Sequence, residues 1–205
     1  MNRQLIAALC LTCAATAGQA ATTNYTVGSL LSGSYTPSAS FATLSASTTD
    51  SLTYTFTLVA DDLTALFGTK KAFVGSMVVD TTPDVGKKRV DVPLPSNATA
   101  LGGGVAGVYV ANGKGPTGDF NFRYDFGNGN DKLVAGETIS WTSTFARAVS
   151  LDHLALHVQG LTAAEGSSAW YTLAAVTPVP EPDNYAMLLA GLGLMSLVAR
   201  RRIRA

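Results

Sequence analysis

The sequence predicts an all-β protein: an antiparallel β-sandwich, jelly-roll-like, with an N-terminal signal peptide and a single C-terminal hydrophobic helix. Three observations carry that prediction. Large apolar residues alternate with small polar ones over several short segments, which is the period of a half-buried strand. Turn residues (Gly, Asn, Asp and Pro) separate those segments at intervals of about ten residues. Only 14% of the chain is charged, against roughly 25% in ordinary domains. A chain so poor in Lys, Glu and Arg builds its polar surfaces from hydroxyls, which suits strands better than charged helix faces.

The first 20 residues read as an address. Arg3 precedes an apolar stretch from Leu5 to Ala17, and Gly18 and Ala20 supply small residues at −3 and −1. This is the order of a secretory signal cut between Ala20 and Ala21, handled by the Sec translocase and signal peptidase. Cys10 and Cys13 both fall inside it, and neither follows the Leu-small-small triplet of a lipobox. The mature chain is therefore expected to lack thiols, which excludes disulfides, zinc–thiolate sites and cysteine nucleophiles.

The body, 21–177, supplies the strands. Strands are expected at Tyr25–Leu31 and Ser40–Ala46. In the next segment Leu52, Tyr54, Phe56 and Leu58 alternate with Thr53, Thr55 and Thr57. One helical turn interrupts: Asp61 and Asp62 cap it, Leu63, Leu66 and Phe67 share a face, and Gly68 stops it. A strand follows at Ala72–Asp80, then a long surface loop from Pro83 to Asn97, then a strand at Val105–Ala111. Phe120, Phe122, Tyr124 and Phe126 are expected on one face of the following strand. Ile139–Phe145, Leu154–Val158 and Ala169–Val176 complete the set. No internal repeat is present, so a solenoid is not expected. About 157 residues suffice to bury one core without disulfides.

Residues 178–205 form a second address. Pro180, Glu181 and Pro182 sit in an extended linker, because proline fixes φ and removes a backbone donor. The apolar run Ala186–Ala199 is shorter than the roughly 20 residues that cross a bilayer comfortably. Arg200, Arg201, Arg202 and Arg204 close it as stop charges, which places the body on the outer side of the inner membrane. Linker, apolar helix and arginine cluster in this order closely resemble the PEP-CTERM sorting domain. The resemblance implies recognition and cleavage by an exosortase, transient anchoring in the inner membrane, and a bacterium that makes extracellular polysaccharide. It says nothing of what the body does.

Net charge is zero, with basic ends and nine basic against twelve acidic residues in the body, so no nucleic-acid partner is expected. Candidate chemistry is sparse. His153 and His157 face the same way at a spacing of four, but Leu154 stands where the zincin glutamate belongs, and no third ligand is at hand. Asp125, Asn128, Asn130 and Asp131 offer the oxygen ligands that calcium takes. Gly127 and Gly129 break the EF-hand spacing, and the same residues make a hairpin turn; the turn is preferred, with calcium as the alternative. Gly102–Gly107 matches a dinucleotide fingerprint by letter but opens onto a strand rather than a helix. No nucleophile elbow or catalytic carboxylate pair is marked, and no cofactor is expected. Trp141, Trp170, Tyr109 and Tyr171 are candidates for a sugar-stacking platform, with Trp141 in the core phase of its strand. The rows Thr53, Thr55, Thr57 and Ser140, Thr142, Thr144 are expected to face outward as hydroxyl-rich surfaces. The function expected is that of an exported, non-enzymatic envelope or matrix protein, structural or adhesive and associated with exopolysaccharide. The alternative is a secreted hydrolase acting on that exopolysaccharide.

Overall fold

The computed structural model describes residues 20–85, 93–102, 107–111, 115–127, 131–162, 166–176 and 192. The chain divides into two units, Met1–Ala175 and Val176–Ala205. The signal peptide, the sorting motif, the arginine cluster and all but Leu192 of the C-terminal apolar run lie outside the described residues.

Alternation becomes strand nearly everywhere it was expected. The strands are β1 (Ala21–Ser32), β2 (Ala42–Thr48), β3 (Thr53–Ala60), β4 (Phe73–Thr82) and β5 (Pro95–Leu101). They continue with β6 (Val108–Ala111), β7 (Phe122–Phe126), β8 (Thr138–Thr144), β9 (Ser150–Gln159) and β10 (Ser168–Val176). The helical turn α1 covers Leu63–Phe67. Asp62 caps it by accepting from the Ala65 amide at 3.0 Å, and Gly68 ends it at φ 62°.

The strands form one continuous antiparallel sheet in the order β5-β8-β3-β2-β1-β10-β9-β4-β7-β6. The two edge strands β5 and β6 touch, so the sheet curls almost into a barrel. This corrects the expected sandwich of two separate sheets. Alternation reveals which face of a strand is buried, but not whether the hydrogen-bond ladder breaks between layers. Here β1 keeps it unbroken. Its first half, Ala21–Thr26, pairs with β2, while further along Ser29 bonds the Thr172 hydroxyl of β10 at 2.8 Å.

Two further corrections are local. β5 lies partly in the segment expected as a loop; Pro95 is tolerated because β5 is an edge strand that needs no complete ladder. Phe120 does not share the face of Phe122, Tyr124 and Phe126. The Asn121 amide donates to the Val79 carbonyl at 2.9 Å, and its side-chain oxygen accepts from the Thr81 amide at 2.8 Å. With residue 121 held there ahead of β7, Phe120 packs in a separate small cluster with Val78 and Ala155.

Inside the curl, the apolar phase of each strand makes the main core. Trp141 stacks on Phe56 at 5.1 Å and meets Tyr124 and Phe126 at 5.4 Å each. Phe56 of β3 also reaches Tyr124 of β7, at 6.0 Å, so the two halves of the sheet share one interior. Each such buried side chain contributes about 1.5–3 kcal/mol relative to exposure.

Candidate functional site

With the core phase inward, the opposite phase faces outward, and strand register decides what it presents. On β1, β2, β3, β8 and β5 the partners line up as Thr22–Ser47–Thr55–Thr142–Ser96. The neighbouring row reads Asn24–Ser45–Thr57–Ser140–Thr99. Across β3 and β8 the hydroxyls of Thr53 and Thr144, Thr55 and Thr142, and Thr57 and Ser140 lie 3.3, 3.4 and 3.1 Å apart. None of these five strands contains a charged residue. At a strand spacing of about 4.8 Å and a two-residue repeat of about 6.7 Å, the result on β1, β2, β3 and β8 is a regular grid of uncharged donors and acceptors, which β5 extends across a register shift between Ser96 and Thr99.

The outer face of β6, β7, β4, β9 and β10 differs. Its central row is Tyr109–Asp125–Ser76–His157–Trp170. Beside it, the register of β4 against β9 shifts between Val74 and Ser76. The extra residue is Gly75, whose missing side chain leaves room for the Gln159 amide: a Cβ there would lie 2.2 Å from its oxygen. The bulge opens a cleft of about 360 Å³ lined by Gly75, Ser76, Arg123, Asp125, Asp131, Lys132, His157 and Gln159, among others. Arg123 clasps Asp125 through Nε at 2.7 Å and a terminal nitrogen at 3.1 Å. Lys132 lies 4.4 Å above the Phe73 ring.

His157 stacks flat on Trp170, with ring centroids 4.3 Å apart. Burial, with the Arg123 charge adding to it, holds the imidazole down to about 4 against the opposing pull of Asp125. The ring is therefore neutral at physiological pH, one nitrogen donating and the other accepting.

The structure sorts the sequence candidates. Trp141 and Tyr171 are core, while Tyr109 and Trp170 occupy the two ends of one outer row, so the four aromatics do not form a common platform. His153 is exposed and approaches Asp80 at 3.5 Å, apart from His157. Asp125 and Asp131 line one cleft; Asn128 and Asn130 lie outside the described residues. Among the described residues no group of three or more His, Cys, Asp or Glu is placed to hold a metal. Ala20 and Ala21 are exposed, with Ala21 opening β1.

Sequence reasoning missed Ser45 and Ser47, although both alternate with Leu44 and Ala46. It also missed Gly75, whose position inside a strand pattern was a usable sign of a bulge.

Comparison with known proteins adds one finding. The family model of the PEP-CTERM protein-sorting motif matches residues 178–202, at the C-terminal end. That motif marks export and surface or extracellular sorting, with exosortase as the processing partner. No curated protein and no solved structure matches the chain. Among the described residues no helix is long and apolar enough to cross a membrane.

Proposed function

We propose that the β body is a structural or adhesive module that associates with exopolysaccharide once the sorting system has delivered it. In this account the Sec route exports the chain, signal peptidase cuts between Ala20 and Ala21, and the C-terminal helix holds the inner membrane until exosortase acts at Pro180-Glu181-Pro182. The observation that carries the proposal is the hydroxyl grid on five adjacent strands without a single charged residue. Polysaccharide presents repeated hydroxyls, and each hydrogen bond exchanged with water is worth only about 0.5–1.5 kcal/mol net. A grid engages many at once, so attachment is weak per contact, multivalent overall and indifferent to salt.

The test is retention of the full chain on insoluble exopolysaccharide across a salt series. Retention that survives high salt supports the reading, and elution by salt counts against it. Intact-mass measurement tests the processing separately: a mature chain that still ends at Ala205 in an exosortase-positive host refutes cleavage.

A second reading, a secreted hydrolase of exopolysaccharide, draws on the two carboxylates that share the cleft. It is the weaker one. Both Asp125 oxygens are already engaged by Arg123, at 2.7 and 3.1 Å, rather than turned to a substrate.

A further inference from the structure

We infer that the cleft between β7, β4 and β9 is a second, independent binding site that takes a short stretch of a neutral saccharide. Three observations lead there. The cleft is built rather than incidental: the β4 bulge leaves both Gly75 and the following Ser76 on its lining, and the absent Gly75 side chain lets the Gln159 amide lie across the strand at the cleft wall. Its charges cancel, since Arg123 and Lys132 are matched by Asp125 and Asp131, so it offers no net field to an ionic ligand. Its remaining polar groups work in both directions. The Gln159 amide and the neutral His157 ring each donate and accept, as does every hydroxyl of a vicinal diol.

Rigidity adds to the case. Trp170 stacks on His157 and Arg123 clasps Asp125, so three of the lining groups are held in place before any ligand arrives. The cleft's lining crosses β7, β4 and β9, about 10 Å at ordinary strand spacing. That width suits a short stretch of saccharide. Nothing in this site depends on the hydroxyl grid, which occupies other strands.

Calorimetric titration of the full chain tests the inference, using cellotetraose, maltotetraose and xylotetraose as neutral probes and tetragalacturonate as the charged one. At least one neutral tetrasaccharide should bind saturably. Gln159→Leu, which removes one two-way hydrogen-bonding group, should weaken it about tenfold. Gly75→Val, whose Cβ would fall 2.2 Å from the Gln159 oxygen and push that amide out of place, should abolish it. If Gly75→Val fails to fold by circular dichroism, Gln159→Leu decides alone. The inference is overturned if no neutral tetrasaccharide binds, if only tetragalacturonate binds, or if affinity is unchanged in every variant that folds.

Discussion

Strands β1, β2, β3, β8 and β5 turn rows of hydroxyls outward and hold no charged residue, whereas β9, β4 and β7 carry Asp152, Asp80, Arg123 and Asp125 along with two histidines. Both sets belong to one sheet and cover one core. The difference lies in the outward phase and in where the register shifts: only at the edge strand of the grid, between Ser96 and Thr99, but twice along the β4–β9 pair. A regular ladder repeats the same small side chains at fixed spacing and makes a surface. An irregular one, shifted at Gly75, gathers unlike side chains and makes a cleft. Surface and cleft should therefore answer differently to mutation, pH and salt, although the core they share should make them unfold together.

The largest effect should come from the interior they share. Trp141→Ala removes the ring stacked on Phe56 and should cost about 3–5 kcal/mol. Urea unfolding followed by circular dichroism and by tyrosine fluorescence should still give one coincident transition. Two separate transitions would mean that the halves are not one cooperative unit.

Gly127→Ala should come next and should act on the cleft alone. Gly127 has φ 76°, and a Cβ there would lie 1.9 Å from the Asp131 carbonyl oxygen. Strain and displacement together should cost about 1–3 kcal/mol. Oligosaccharide affinity should fall in this variant while retention on insoluble polysaccharide holds; a parallel loss of both would merge the two sites.

Acid should also single out the cleft half. His157 titrates near 6.5 when unfolded and is held down to about 4 when folded. Between those values the unfolded chain binds the extra proton, so stability is fully present above pH 6.5 and is lost as pH falls toward 4. The ring is only half-buried, and after discounting for solvent screening the loss is about 1–2 kcal/mol. Urea midpoints at pH 7.5 and 4.5 should differ accordingly, and His157→Gln should flatten that part of the difference. An unchanged pH dependence in the variant would remove His157 from the account.

The smallest stability effect should come from the grid. Thr55→Val with Thr142→Val removes two facing hydroxyls at once, leaving no orphaned partner, and should change stability by no more than about 0.5 kcal/mol. A loss of several times that in a thermal melt would show that these hydroxyls serve the fold rather than the surface.

Much of this arrangement was legible in the chain. Thr53, Thr55 and Thr57 sit between Tyr54, Phe56 and Leu58, and that pattern places them outward without any knowledge of partners. The α1 cap at Asp62 and its stop at Gly68 were legible for the same local reason. Register was not. That Thr55 faces Thr142 on one side and Ser47 on the other depends on strands far apart in sequence, and alternation is silent about pairing. Phe120 was misplaced because a period-two pattern was carried two residues beyond the strand, past the hydrogen bonds of Asn121 that end it. β5 escaped notice because Pro95 and Asn97 read as loop residues, and only its position at the sheet edge admits them. The cleft was hidden for a similar reason: Arg123, Lys132 and Gln159 converge only once β4 bulges between β7 and β9.

The central claim, that the uncharged grid is the attachment surface, is tested most directly by one retention measurement on insoluble exopolysaccharide at low and high salt. The proteins to compare are the full chain, a grid variant combining Thr55→Val, Thr57→Val, Ser140→Ala and Thr142→Val, and the cleft variant Gln159→Leu. The full chain and the cleft variant should be retained equally at both salt concentrations, and the grid variant should be released at both while keeping its thermal midpoint. A folded grid variant retained as well as the full chain would contradict the claim.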